Sequence, residues 1–517
     1  MIIAVVAATL FLALFFKLGR KRPLKDVNSP PEPSGAWPII GHLPILGGQN
    51  HIAHTLANLA DKHGPIFTLR LGLQRIVVVS SREAVSECFT TNDKSFVNRP
   101  KTSSGTHLAY DCAAFGFSNG RYWREMRKLV SLEVLSARRL EAMKNLRVSE
   151  ISMSIKELYS DIKDEKIPSR VVFSHWIEKV ALNIIVKTIA GKRYGNYARR
   201  GEDKEVESFR KLIREFTYLA GESVLSDVIP FPLLRWMDPQ GHIKSMKRVS
   251  KELDGIIGKW IDEHVERKSK GEVGEEQDFL DVMLSTIDDN FVDSVKGPPR
   301  ETIIKATIVN VILGGFDTTS VFLTWLFSLL VNNKHVTKLA QQEIHEKVGN
   351  QRWVQEFDIK NLPYIQAIIK EALRMYPPLP LSVPHEAVED CWLGGYLIPK
   401  GTVLFVNLMK LHRDPRFWPE PNKFMPERFL TSHVGVDVMG VQFEFIPFGA
   451  GRRSCPGTAF AMQVASLLVA RLVQGFEFTP PGDQPVDMDE GIAITMPRAN
   501  PLEVVITPRL ASQLYEN

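Results

Sequence analysis

The strongest constraint on the fold is a long run near the middle of the chain that carries a single charge. Between Lys305 and Lys334 the only charged side chain is Asp317. The run predicts one long apolar helix, which must be buried in the core of a large helical domain or in a membrane. Asn310, Asp317 and the threonines that follow are costly in lipid unless they serve a site, so we favour the protein core. A second membrane span is the alternative.

The centre of this helix combines helix-weakening and reactive residues. Gly314 and Gly315 stand just before the acid and predict a local kink. The kink would point Asp317 and Thr318 into a cavity. An acid beside an alcohol in a dry cavity can relay protons. The alternative is a buried aspartate that is satisfied by neighbouring hydroxyl groups.

The N-terminus predicts a membrane anchor. Its sequence, MIIAVVAATLFLALFF, is uncharged, and basic residues follow from Lys17. With Lys17 and Leu18 the run reaches about 18 residues, near the lower limit for a membrane-spanning helix. A cleaved signal peptide, the alternative, would carry its basic residues before the apolar part. We expect residues 1–18 to be a single-pass anchor, with the rest of the chain in the cytosol.

The remainder of the chain predicts one large domain. Residues 19–46 are basic and proline-rich and predict a stiff connector. Strand-like segments begin at Ile66, Ile76 and Gly394, whereas helical patterns dominate from about 120 to 375. Length alone would allow about three domains, but no second linker is visible. We therefore expect residues 47–517 to form a mainly α domain with a smaller β part. A net charge of +5 gives no case for nucleic-acid binding.

Cysteine usage singles out one thiol. The four cysteines are widely spaced and form no CxxC pair: Cys88, Cys112, Cys391 and Cys455. A disulfide in the cytosol and a structural zinc site are both disfavoured. Cys455 lies in EFIPFGAGRRSCPGTAF, where Pro456 suits the first position of a helix running to about Gln474. A cysteine at a helix N-terminus is favoured as a thiolate.

Three further motifs bring charges to defined spacings. Glu371 and Arg374 lie at i and i+3 in IKEALRMYPP. Taken by itself, this pair is typical of an ion pair on a helix surface. Arg428, in the turn FMPERFL, could complete a network with Glu371. In WREMRK, Trp123 and Arg127 lie at i and i+4 and suit the binding of a carboxylate.

Together these motifs resemble those of the cytochrome P-450 monooxygenases. The cysteine loop matches the pattern Phe-x-x-Gly-x-Arg-x-Cys-x-Gly at Phe448, Gly451, Arg453, Cys455 and Gly457. The other motifs occur in family order, and the resemblance extends from Pro30 to the end of the chain. RWVQEFDIKNLPYIQAIIKE, VPHEAVEDC and MKLHRDP are similar to segments of plant microsomal members, in the subfamily of nicotine N-demethylases and flavonoid hydroxylases.

The resemblance implies a haem b cofactor whose iron is ligated by the Cys455 thiolate. It also implies that Phe448 shields the sulfur, that Arg453 pairs with a propionate, and that Asp317 and Thr318 act in catalysis. His385 stands where many relatives have arginine and would bind a propionate more weakly, in a pH-dependent way. The other residues expected at the haem are Gly449, Trp123 and Arg127. Those expected to line an apolar substrate pocket are Leu108, Ile312, Phe316, Leu379, Val383 and Ile494.

The implied function is insertion of one oxygen atom from O2 into an apolar plant specialised metabolite, a terpenoid, phenolic or alkaloid, by hydroxylation or oxidative demethylation. No flavin or dinucleotide fingerprint is visible, so NADPH electrons would come from NADPH–cytochrome P-450 reductase at the endoplasmic reticulum membrane. One alternative is a haem-thiolate isomerase or dehydratase that does not use O2. Such enzymes typically lose the acid–alcohol pair, which this chain keeps. The other alternative is a non-catalytic haem protein.

Overall fold

The computed structural model describes residues 28–48, 51–163, 170–194, 204–222, 224–229, 232–272, 277–482 and 484–516. The expected membrane anchor, residues 1–18, and the first part of the expected connector lie outside the described residues. The described chain is mainly helical with a smaller β part, which confirms the predicted class of fold.

The helices are distributed along the whole described chain. In order they are α1 (Leu43–Leu46), α2 (Ile52–His63), α3 (Arg82–Phe89), α4 (Ser103–His107), α5 (Gly120–Leu129), α6 (Ala137–Ala142), α7 (Lys144–Lys163), α8 (Phe173–Ala190), α9 (Lys204–Gly221) and α10 (Leu225–Val228). They continue with α11 (Pro232–Met237), α12 (His242–Ser269), α13 (Phe279–Thr286), α14 (Asp289–Val295), α15 (Arg300–Asn332), α16 (Lys334–Lys347), α17 (Pro363–Met375), α18 (Leu408–Leu411), α19 (Thr458–Gly475) and α20 (Ser512–Glu516). A π-helical turn spans Val130–Val134, and 3-10 turns span Glu356–Asn361, Pro426–Leu430 and Gly451–Arg453.

The strands form three small sheets. They are β1 (Ile66–Leu71), β2 (Gln74–Val79), β3 (Arg170–Val172), β4 (His385–Glu386), β5 (Cys391–Leu393), β6 (Tyr396–Ile398), β7 (Val403–Val406), β8 (Phe476–Thr479) and β9 (Glu503–Pro508). The order β1-β2-β7-β4 is antiparallel except between β2 and β7, which run parallel with Ile76 opposite Val403. The other sheets are antiparallel, with orders β3-β9-β8 and β5-β6.

Helix α15 is the centre of the fold. It packs most extensively on α8 and also contacts α9, α12, α13, α16, α17 and α19. Its first half, up to Phe316, is buried in one hydrophobic cluster, and its second half, from Phe322, is buried in another. By length and composition α15 and α19 could each cross a membrane, but most of each apolar window is buried within the protein. The core interpretation of α15 is therefore favoured over a second membrane span.

The two glycines of α15 do not break the helix. Its α-helical conformation is continuous from Arg300 to Asn332, whereas the local kink expected at Gly314 and Gly315 stays a prediction. Gly315 instead permits close packing, since a Cβ there would lie 2.4 Å from Cδ1 of Ile185 on α8. A Cβ on Gly314 would meet nothing within 4 Å, because this residue faces an internal space.

A buried ion network fixes the segment that precedes the cysteine loop. Glu371 and Arg374 on α17 are both fully buried and form two hydrogen bonds of 2.7 and 2.8 Å. Arg428 adds a third, from Nε to Glu371 Oε1 at 3.0 Å. Arg374 Nη1 also donates to the carbonyls of His412 and Pro421. The three side chains therefore come together inside the protein, and α17 is tied to the turn around Arg428.

We predict that Glu371→Ala strongly destabilises the protein, because it leaves two buried guanidinium groups without their carboxylate. Breaking a buried pair in this way costs about 3–5 kcal/mol. The matched control is Glu141→Ala, which removes an exposed i, i+3 pair with Lys144 and should cost less than about 0.5 kcal/mol. Unfolding of the two variants by denaturant gives both values. Equal losses would contradict a structural role for the buried network.

Candidate active site

An internal cavity of about 320 Å³ lies between α15 and the loop that carries Cys455. Gly314, Thr318 and Thr319 line it from the helix, and Phe448 and Cys455 line it from the loop. A larger groove of about 580 Å³ lies on the surface beside α2 and α3, but none of the predicted site residues borders it. The internal cavity is therefore the candidate site.

The cysteine loop is shaped by glycines and backbone hydrogen bonds. Gly449 and Gly451 have φ angles of 73° and 66°, in the left-handed region that favours glycine. The Cys455 N–H donates to the Phe448 carbonyl at 2.8 Å, which folds the loop back on itself. Helix α19 begins at Thr458, three residues after Cys455, so the expected helical start at Pro456 is wrong by two residues.

The sulfur of Cys455 borders the cavity and lacks a cysteine partner. Burial raises the pKa of the Cys455 thiol, while the Gly457 N–H and the charge of Arg127 act in the opposite direction. A bound metal cation deprotonates a coordinating thiol outright. The site therefore suits a thiolate when a cation lies in the cavity, and it provides one sulfur ligand from the protein.

Three arginines bring positive charge to the same cavity: Arg99, Arg127 and Arg453. No carboxylate pairs with any of them among the residues that the structure describes. Arg453 donates to the Val97 and Ser118 carbonyls and stacks 3.8 Å from the centre of the Trp123 ring. Burial, with repulsion from Arg99 and Arg127, lowers the pKa of Arg453 to about 8.

An anionic ligand would relieve this repulsion. Arg99 Nε is buried and has no hydrogen-bond partner in the described structure, and burial lowers the Arg99 pKa to about 10. A haem presents two propionate carboxylates and an iron, which match the guanidinium groups and the sulfur respectively. The residues present therefore fit a haem. Arg99 was not among the predicted site residues. Its sequence neighbourhood offers only the following Pro100, which does not indicate a cofactor contact.

His385 is buried at the same end of the cavity. Its Nδ1 lies 2.8 Å from the Phe96 carbonyl, so Nδ1 carries the proton in the neutral ring and Nε2 is then an acceptor. Burial, with the charge of Arg99, lowers the His385 pKa well below its ordinary value. Donation from Nε2 to a propionate, as expected from the sequence, therefore requires the doubly protonated ring.

The acid and the alcohol of α15 point in different directions. Thr318 lines the cavity and donates from Oγ1 to the Gly314 carbonyl at 2.6 Å. Asp317 does not line it, and its Oδ2 accepts a hydrogen bond of 2.8 Å from Thr495. Burial raises the pKa of Asp317, and the Thr495 hydrogen bond opposes that shift only in part. Thr495 was not identified from the sequence, since 178 residues separate the two side chains.

The expected substrate pocket is corrected in four positions. Leu379 and Val383 line the cavity, whereas Leu108, Ile312, Phe316 and Ile494 do not. Ile312 and Phe316 are buried in the core because two residues correspond to about 200° around a helix, away from the stripe of Gly314 and Thr318. Leu108 belongs to the same core cluster. Ile494 is 45% exposed and packs against Gly221.

A second cluster of possible metal ligands is structural. His264, Asp278 and Asp281 hold their ligand atoms within 4.8 Å of one another. Asp278 caps α13 and shares a capping box with Asp281, and its Oδ2 lies 2.8 Å from His264 Nε2. These mutual hydrogen bonds account for the cluster without a ligand.

A cavity with one thiol, three arginines without carboxylate partners among the described residues, and a helix bearing an acid and an alcohol is typical of the class of haem-thiolate proteins. The family description "Cytochrome P450" matches residues 30–503, and the chain belongs to the cytochrome P450 family. Membership makes the chain a monooxygenase with a haem ligated by a cysteine thiolate, which receives its electrons from a reductase.

Curated relatives align over nearly the full chain. The chain is 52% identical to a vinorine hydroxylase of Rauvolfia serpentina, covering 97% of this chain and 93% of the relative. It is 47% identical to a nicotine N-demethylase of Nicotiana tomentosiformis and 48% identical to a flavonoid-6-hydroxylase of Mentha piperita, covering 99% of both chains in each case. These matches confirm the subfamily resemblance.

A solved structure supports the fold alone. A zebra fish cytochrome P450 with progesterone has a TM-score of 0.72 and 24% identity, covering 88% of this chain and 99% of that one. The mainly helical architecture with small sheets is therefore that of the family.

We predict that Cys455→Ala abolishes the red-shifted band of the reduced carbon monoxide complex, because it removes the sulfur that borders the cavity. The controls are Cys88→Ala and Cys391→Ala, since both thiols are buried in the core away from it. Their spectra should match the wild type. A Cys455→Ala variant that keeps the red-shifted band would contradict the assignment of the ligand.

Proposed function

We propose that this chain hydroxylates or oxidatively demethylates a compact, uncharged plant specialised metabolite, in the cavity between Cys455 and Thr318. The observation that carries the proposal is that the Cys455 thiol and the Thr318 hydroxyl of α15 line the same cavity. A haem with a thiolate ligand supplies the activation of O2 for insertion of one oxygen atom into a C–H bond. The rest of the chemistry depends on side chains of this chain.

The arginines and the cysteine loop would hold the cofactor. Arg99, Arg127 and Arg453 would bind the propionates, with Trp123 packed on Arg453. A Cβ at position 457 would lie 3.7 Å from Cys455 Sγ, an ordinary van der Waals distance, so steric contact with the sulfur does not require this glycine. Phe448 covers the cavity side of the loop. These residues would fix the position of the cofactor relative to Thr318.

Asp317 and Thr318 would deliver protons. The raised pKa of Asp317 keeps its carboxyl group protonated at a higher pH than an exposed aspartate. Thr495 holds that carboxyl group outside the cavity, and the Thr318 hydroxyl lines the cavity, so the proposed relay would use Thr318 as the last donor to the reacting centre. Retention of this pair favours a monooxygenase over an isomerase, a dehydratase or a non-catalytic haem protein, none of which needs the relay.

The relatives support the substrate class. Their names assign vinorine and nicotine, which are alkaloids, and flavonoids to proteins about half identical to this chain. The wall of the cavity on this chain is mainly apolar, with Phe115, Leu379 and Phe322 among its residues. Hydrophobic burial would supply most of the affinity, at roughly 25 cal/mol per Å² before ordering costs.

We predict that Thr318→Ala leaves haem binding unchanged but lowers the product formed per NADPH consumed by about tenfold or more, since a general acid step contributes roughly 10²–10⁴. The lost electrons should appear as peroxide. The control is Thr324→Ala, because Thr324 makes the same hydrogen bond to the carbonyl four residues earlier but lies away from the cavity. Equal coupling in the two variants would contradict the relay.

Residues 1–18 are proposed to anchor the enzyme in the endoplasmic reticulum membrane, with the catalytic domain in the cytosol. The support is the uncharged N-terminal run followed by Lys17, Arg20, Lys21 and Arg22. An anchored position would also place the chain beside its reductase, the source of electrons in this family.

We predict that deletion of residues 1–22 releases much of the protein from membranes without changing its carbon monoxide spectrum. The measurement is the fraction extracted by alkaline carbonate, compared with the full-length chain. Retention of the truncated protein among integral membrane proteins would contradict the single anchor and would favour a second span.

A further inference from the structure

Asn310 is a polar side chain of the cavity wall that the proposed function does not use. Asn310 lies on α15 one turn before Gly314 and two turns before Thr318, on the stripe of the helix that faces the cavity. It was not among the residues expected to line the pocket. Its surroundings determine which end of its amide group faces the cavity.

The orientation of the Asn310 amide is set by the backbone of Gly116. The Gly116 N–H donates to Asn310 Oδ1 at 2.8 Å. A backbone N–H can only donate, so the amide oxygen must face Gly116 and the amide nitrogen must lie on the other side. The approach requires glycine, because a Cβ at position 116 would lie 2.5 Å from Asn310 Oδ1.

The Nδ2 hydrogens of Asn310 have no acceptor among the described residues. Asn332, on the same helix, differs: its Nδ2 donates to the Val486 carbonyl at 2.9 Å and its Oδ1 accepts from Val486 N–H at 3.0 Å. Asn310 is half-buried and borders the cavity, where a hydrogen-bond donor shielded from water is stabilised when it gains an acceptor. Both ends of the Asn332 amide are therefore hydrogen-bonded within the protein. The Nδ2 group of Asn310, in contrast, offers two N–H donors beside a mainly apolar cavity.

We propose that Asn310 is a specificity-determining residue that donates a hydrogen bond to a neutral acceptor on the substrate, a carbonyl or ether oxygen or an unprotonated nitrogen. The inference rests on the proposed function and narrows its substrate class. Eight residues of helix separate Asn310 from Thr318, which is about 12 Å along the axis. The acceptor therefore binds about two helical turns from the part of the cavity that Thr318 lines.

The test compares ketones with hydrocarbons of the same carbon skeleton: fluorenone with fluorene, anthrone with 9,10-dihydroanthracene, and benzophenone with diphenylmethane. Dissociation constants come from the spin-state change of the holoenzyme, which needs no turnover. The wild type should bind at least one ketone about fivefold or more tightly than its hydrocarbon, the size expected for one hydrogen bond. Absence of a ketone preference in all three pairs overturns the proposal.

Two variants assign the preference to Asn310. Asn310→Leu should abolish the ketone preference and leave hydrocarbon binding within about threefold of the wild type. Gly116→Ala keeps the amide but displaces it, and should weaken ketone binding in the same direction. The matched control is Asn332→Leu, which should lower thermal stability and keep the ketone preference. An Asn310→Leu enzyme that still prefers the ketone overturns the proposal.

Failure of this inference is distinguishable from failure of the proposed function. An enzyme with the red-shifted carbon monoxide band and NADPH-dependent product formation, but without a ketone preference, contradicts the role of Asn310 alone. Loss of the band in the wild type contradicts the proposed function itself.

Discussion

The fold depends on the burial of α15 on both of its halves. Ile303, Ile308 and Ile312 pack in one cluster, and Leu323 and Leu326 pack in the other. Each fully buried aliphatic or aromatic side chain contributes about 1.5–3 kcal/mol to folding, so moving either half of α15 out of its cluster would cost stability. The helix is thereby fixed along its length, and the cavity lies where the two clusters meet. Thr318 and Thr319 border the cavity at this junction.

Charge at the other end of the cavity links cofactor binding to stability. Burial first, and then repulsion from neighbouring arginines, lowers the pKa values of Arg99 and Arg453 at this end of the cavity. A ligand with two carboxylates removes that cost and is therefore bound more tightly than its own contacts alone would give. By mass action such a ligand also stabilises the folded chain.

Sequence motifs predicted the parts of the site that lie close together along the chain. The glycines around Cys455 need positive φ angles, and Glu371 and Arg374 share one helical face, so both arrangements follow from local pattern. Which face of α15 meets the cavity does not follow, because apolar residues surround much of this buried helix. Local sequence therefore does not distinguish Val311, which lines the cavity, from Ile312, which is buried in the core.

Residues that meet only through the tertiary fold were missed for a different reason. Thr495 reaches Asp317, and Gly116 orients Asn310, across sequence separations of 178 and 194 residues. No local sequence pattern around Thr495 or Gly116 predicts the side chain that it contacts. The polar groups proposed to control proton delivery and substrate choice meet only across long sequence separations. The iron ligand, Cys455, and the class of fold are instead predicted by local motifs.

The central claim is that one sulfur of this chain ligates the iron of a haem in the cavity beside α15. Iron K-edge X-ray absorption of the purified ferric protein tests it directly, because sulfur and nitrogen scatter differently in the first coordination shell. The account predicts one sulfur together with the four ring nitrogens. A first shell of nitrogen and oxygen only would contradict it.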